Sequence, residues 1–228
     1  MSQTSNPLST EATASEPLER AGEDDEARFR RYRQRLIDDC RFGAMYLRQW
    51  IRIVEGLRSP TLSHVGFHFF NSTVIALQQL SYVCLGYLTD THKDSLNMRY
   101  FLNWVENHQQ IFPSGTDKAI KQGLLEDRRT IDALSDQITN VKELRDKFLA
   151  HRDRNALGED LDKHALNIQT MKRLYDTFAQ IVNRYSGLYD NSGYGMEFVS
   201  EDDVQGVFRL LEAAVQLQEA ERRKRFGR

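Results

Sequence analysis

The chain has 228 residues, 31 basic against 33 acidic side chains and a formal charge of −2, so it lacks the electropositive footprint of a protein that coats duplex nucleic acid. Its length suits one domain with a substantial core. The two cysteines, Cys40 and Cys84, lie in apolar helical patterns with no Cys-x-x-Cys or Cys/His cluster around them, which excludes a disulfide framework or zinc knuckle and leaves reduced core thiols. There is no basic segment followed by an apolar run at the start and no stretch of about 18 apolar residues, so a cytoplasmic protein without a membrane span is expected.

Residues 1–25 are Ser, Thr, Glu, Pro and Ala with few large apolar side chains, and they are expected to form a disordered tail. From Glu26 the pattern changes. Phe29, Leu36, Ile37, Cys40, Ala44, Leu47, Ile51, Val54 and Leu57 recur at spacings of three and four, predicting one long amphipathic helix that stops near Ser59-Pro60. A second helix is predicted from about Leu62 to Leu88. It is apolar around most of its circumference, so it is expected to be the most buried member of a bundle.

Thr89-Asp-Thr-His-Lys-Asp94 supplies turn and capping residues ahead of a short helix from Ser95 to about Gln110, which Phe112-Pro-Ser-Gly115 closes. Thr116 to about Asp153 has no internal proline and reads as a third long helix. A fourth, capped by Asp160 or Asp162, runs to about Leu188, and Asn191-Ser-Gly-Tyr-Gly195 breaks the chain again. Val204 to Arg225 forms a last helix behind the capping signal Ser200-Glu-Asp-Asp203, and its basic end complements the helix dipole. Only Met196 to Val199 hints at a strand. The expected fold is therefore an all-α antiparallel bundle: a single domain over 26–228, with a core at about 29–185 and an extension at about 186–228.

The densest chemical cluster is Val141-Lys-Glu-Leu-Arg-Asp-Lys-Phe-Leu-Ala-His-Arg-Asp153. Imidazole can act as acid or base near neutral pH, and an arginine is always charged and grips two phosphate oxygens, so Arg145 with His151 suits cleavage of an RNA phosphodiester. Asp146 would orient the arginine or accept from the 2′-hydroxyl, with Lys147 and Arg152 in support. On an ideal helix six steps of about 100° leave Arg145 and His151 roughly a third of a turn apart, flanking a groove. One helix end offers one histidine, so a symmetric dimer is a natural way to complete the site. The same residues also suit a bland role, since Glu143, Asp146 and Lys147 can form solvated pairs at the helix end. His64 and His68 stand four apart on a helix but lack a third ligand, so packing among the neighbouring phenylalanines is preferred to a metal there.

The segment Arg145-Asp-Lys-Phe-Leu-Ala-His151 resembles the Arg-x4-6-His motif of the HEPN superfamily. The wider string Leu144 to Asp153, with Leu80-Ser-Tyr-Val-Cys-Leu-Gly-Tyr-Leu-Thr-Asp90 and the following Asp94-Ser-Leu, is similar to its abortive-infection type U subgroup. The resemblance spans about Phe29 to Tyr185. It implies a HEPN-like helical bundle that dimerises and acts as a metal-independent ribonuclease in phage defence or a toxin–antitoxin system. It gives Arg145 and His151 the catalytic roles and Asp146 that of the polar neighbour. The implied partners are RNA, a second copy and a cognate antitoxin or defence protein, with no cofactor. Some members are implied to be non-catalytic interaction or nucleotide-binding modules, which is the alternative reading.

Overall fold

The computed structural model describes residues 22–59, 61–62, 65–92, 94–145, 166–195 and 201–227, with the side chains of 201 and 202 excepted. The described residues are all-α: α1 (Asp25–Gly56), α2 (Phe67–Thr89), α3 (Met98–Asn107), a 3₁₀ turn (Gln109–Ile111), α4 (Asp117–Ala133), α5 (Ser135–Leu144), α6 (Ile168–Asp190) and α7 (Glu201–Phe226). Of the expected tail over 1–25, residues 1–21 lie outside the described residues, as does the strand hint at Met196–Val199; at its end Asp24 is a helix cap and Asp25 opens α1, so order begins earlier than expected.

Helix α1 starts where Asp24 caps it, its carboxylate accepting from the Ala27 N–H at 2.6 Å. The stripe from Phe29 to Leu47 is buried and packs chiefly on α2 and α6. The core built on that stripe takes in Leu85 and Leu88 of α2, Phe101 and Val105 of α3, Ile120 of α4, Val141 of α5 and Phe178, Val182 and Tyr185 of α6. A smaller apolar cluster, Ile53, Leu62 and Phe208, joins α7 to the far end of α1. Both cysteines are free and buried; burial pushes both thiols up, that of Cys84 to about 12.

Three expectations change. First, α2 begins at Phe67 behind Gly66, whose φ of +62° favours glycine, and only its C-terminal half is buried; Phe67, Phe69, Ile75, Leu80 and Tyr87 are exposed. Apolar composition here marks a surface and not the centre of the core. Second, the predicted third long helix is two helices. The Leu134 N–H bonds back three residues to Ile131, tightening the end of α4, and Ser135-Asp136 open α5 as helix-starting residues. The buried Leu134 side chain anchors the joint in the core. Third, Asn97 and Asn167 cap α3 and α6, so α3 starts after the predicted Ser95; Asp160 and Asp162 lie outside the described residues. Helix α6 ends on Asn191 at φ 58°, an αL cap in the predicted break.

Candidate functional site

Helix α5 delivers Arg145, its C-cap, to the C-terminal end of α2. Such a position favours a cation, because the last carbonyls of a helix carry partial negative charge. The arginine's aliphatic stem lies against Gly86, where a Cβ would stand 2.9 Å from its Cδ, so the absence of a side chain at 86 makes room for it. The guanidinium Nη1 is 3.3 Å from Oδ1 of Asp90, the residue that ends α2, and the two side chains are only 21 % and 19 % exposed. At that exposure the pair is less screened than an open surface ion pair.

Asp90 organises the α2–α3 turn. Its Oδ1 also accepts the His92 N–H at 3.2 Å and its Oδ2 accepts the Ser95 hydroxyl at 2.8 Å. Burial pushes its carboxyl up, but these two hydrogen bonds and the Arg145 charge outweigh it and hold Asp90 below the usual carboxylate range. One turn before Arg145, Lys142 Nζ donates to the Thr91 hydroxyl at 3.3 Å. Two cations of α5 thus face the turn 90–95.

The chain returns to the same half of α2 at Leu166. Its N–H donates to the Tyr82 hydroxyl at 2.9 Å, and that hydroxyl donates to the Leu166 carbonyl at 3.2 Å. Arg145 and Leu166, described residues 21 positions apart in the chain, thus both contact the C-terminal half of α2, at Gly86 and Asp90 and at Tyr82. Of the residues singled out in the sequence, Arg145 is placed in this corner; Asp146, Lys147, His151 and Arg152 lie outside the described residues. Asp90, Gly86 and Lys142 were not assigned to the site in the sequence. Their signal was a lone glycine among Leu85, Tyr87 and Leu88, and a capping aspartate that also had an ionic partner far along the chain.

Other parts of the surface are less suited to chemistry. A shallow pocket of about 90 Å³ between α3 and α4 is lined by Arg99 and Arg128, each paired with a carboxylate, Asp132 and Glu106, at 2.8 and 2.7 Å. Among the described residues no group of three His, Cys, Asp or Glu is placed to hold a metal ion, and none of the helices is long and apolar enough to cross a membrane. His68 is exposed near the start of α2, and His64 lies outside the described residues.

The architecture that presents Arg145 can be set against known families. A family model for AbiU2, HEPN_AbiU2, matches residues 26–207. The chain belongs to the HEPN_AbiU2 family. The match opens in the first turn of α1 and runs into α7, past the Tyr185 limit of the sequence resemblance, so α2, the 90–95 turn and α5 are all family elements. Membership in HEPN_AbiU2 points to an abortive-infection defence module. Neither a curated protein nor a solved structure matches the chain.

Proposed function

We propose that this HEPN_AbiU2 protein is a metal-independent ribonuclease of a phage-defence or toxin–antitoxin system. The observation that carries the reading is the placement of Arg145: a guanidinium held by Asp90 and Gly86 at the point where the chain enters the segment bearing His151. In this reading Arg145 grips the scissile phosphate and spreads its developing charge, as a bidentate cation does. His151 acts as general acid or base: the 2′-hydroxyl gives up its proton, its oxygen attacks phosphorus, the bond to the 5′-oxygen breaks and that oxygen takes up a proton from the acid or from water. The products are a 2′,3′-cyclic phosphate and a 5′-hydroxyl. Asp146 stands beside the arginine, and Lys147 and Arg152 add positive charge along the RNA.

The site is placed at the interface of a homodimer, and α2 supports that part of the reading. None of its 23 residues is Asp, Glu, Lys or Arg. Phe69, Thr73, Ala76, Leu80, Val83 and Tyr87 recur at alternating steps of four and three, and at about 100° per residue they fall within about 80° of the helix surface. Phe69, Leu80 and Tyr87 on that stripe are 69 %, 43 % and 48 % exposed. An uncharged, apolar stripe is complementary to a second copy of itself, and exposed Phe42 of α1, stacked on Tyr46, adds to the apolar surface.

A non-catalytic interaction module in a defence operon is the rival reading, and the Arg145–Asp90 pair suits it too, since a helix-end arginine with a carboxylate partner needs no substrate. The test is incubation of the purified protein with mixed RNA in EDTA beside Arg145→Ala and His151→Ala. Cleavage by the native chain alone, leaving 2′,3′-cyclic phosphate ends, is the expected result. If the native chain leaves transfer RNA and messenger RNA intact, the interaction module takes its place.

A further inference from the structure

Helix α2 keeps one stripe for the outside. Phe70, Val74 and Leu77 pack inside the chain on the cluster around Phe208, and Cys84, Leu85 and Leu88 join the main core. What is left as a continuous line is Phe69, Thr73, Ala76, Leu80, Val83 and Tyr87, none of them buried. These six positions are symmetric about residue 78: Phe69 and Tyr87, Thr73 and Val83, and Ala76 and Leu80 are each equidistant from it. Turning the helix end over end therefore lays the stripe on itself. We infer that two copies of the chain meet through α2 running antiparallel, so that Phe69 of each copy covers Tyr87 of the other beside the Arg145 corner. This rests on the homodimer reading above and fixes its geometry.

Side-chain size separates this pairing from a parallel one. In the antiparallel pair each Leu80 fills the space left by an Ala76, each Val83 meets a Thr73, and ring meets ring at both ends. In a parallel pair like meets like: Ala76 faces Ala76 and Leu80 faces Leu80, so the seam alternates between gap and bulge. Interfaces pack at the near-uniform density of protein interiors, which favours the first arrangement. The helix dipoles favour it too. Antiparallel packing sets the positive start of α2 beside the negative end of its copy, whereas parallel packing sets like ends together. No residue of α2 is Asp, Glu, Lys or Arg, so no charged side chain of the helix overrides these effects.

The arrangement decides what each copy gives the other. At about 1.5 Å per residue, the Gly86 positions of the two copies stand about 24 Å apart along the seam. The two Arg145 corners are therefore separate, and each has the first turn of the other copy's α2, with its exposed Phe67 and Phe69, as an outer wall. Tyr87 adjoins the glycine against which the Arg145 stem lies, so Phe69 from the second copy narrows the approach to the guanidinium from that side.

The test is disulfide trapping in the full chain, with Phe69→Cys, Tyr87→Cys and the double variant carrying both. Native Cys40 and Cys84 are buried with their thiols pushed up, so they form little thiolate and stay silent under mild oxidation. The double variant should be trapped as a covalent dimer on a gel run without reductant, and so should a mixture of the two single variants after exchange. Neither single variant alone should be trapped, because the same residue in two antiparallel copies lies about 27 Å from itself, far beyond the about 7 Å that a disulfide spans. Circular dichroism checks that each variant keeps native helicity. Single variants that trap themselves overturn the antiparallel pairing in favour of a parallel one. A helical double variant that is not trapped overturns the α2 seam. A native chain that is monomeric by light scattering removes the homodimer, and this inference falls with it. Trapping needs no RNA, so the ribonuclease reading stands or falls separately on the cleavage assay.

Discussion

Gly86→Ala separates the stability of α2 from the position of Arg145. Glycine inside a helix costs about 1 kcal/mol relative to alanine, so the substitution favours the helix by that amount. The new Cβ would stand 2.9 Å from Arg145 Cδ, about 0.6–1 Å inside a comfortable carbon–carbon contact. The arginine stem is flexible and can yield, but yielding draws the guanidinium from its 3.3 Å contact with Asp90, a part-exposed pair worth up to about 1 kcal/mol. The two effects nearly cancel, so the melting temperature should move by no more than about 2–4 °C. Activity should respond far more, because a displacement of about 1 Å at a positioning group can cost about 100-fold. The measurement is thermal denaturation followed by circular dichroism beside RNA cleavage at matched concentration, in native and Arg145→Ala backgrounds. In the second background Gly86→Ala should cost no further activity, since the side chain that it displaces is gone. Native-like cleavage by Gly86→Ala would refute the claim that this contact sets the arginine's position.

Three further outcomes are expected. Burial pushes the Asp39 carboxyl up to about 6 against the pull of Arg35, so the folded state disfavours its charge. That acid is harmless below about pH 4 and costs stability progressively as pH rises from about 4 to 6. Asp39→Asn should therefore stabilise by about 1–2 kcal/mol at pH 7.5 and have little effect at pH 4, read by urea titration at the two pH values; equal effects would exclude this origin. Gly43→Ala would drive a Cβ into the ring of Tyr175, whose hydroxyl is fixed by the Ser81 carbonyl at 2.5 Å, and a buried overlap of this kind should cost about 2 kcal/mol; a melting temperature unchanged from native would show that α1 and α6 separate easily. Leu80→Lys places a charge in the middle of the α2 stripe at an exposed position, so light scattering should show a dimer becoming a monomer while helicity persists; a native monomer, or a variant that stays dimeric, removes the α2 interface.

The all-α class and most helix positions were legible because Phe29, Leu36, Cys40 and Leu47 repeat with a helical period that only one buried face explains. The depth of α2 was not legible. Hydrophobic periodicity reports that a surface avoids water, and it is blind to whether the cover comes from the same chain or another. Nor was the joint at Leu134, which depends on a single tightened turn and two residues, Ser135 and Asp136, that are unremarkable inside a long polar helix. Arg145 stood out by its neighbours in sequence. Asp90 did not, because its partner lies 55 positions away and its local environment already explained it as a cap.

The joint between α4 and α5 also changes how the family can vary. Were 117–145 one rod, each residue inserted into α4 would swing Arg145 by about 100° around the axis and off Gly86. With the register reset at Leu134, the length of α4 is released from the bearing of the arginine, and the short α5 travels as a cartridge whose aim depends on its own ten residues and the end of α2. A residue added to or removed from α4 would then alter the outer wall of the bundle and leave Arg145 aligned on Gly86.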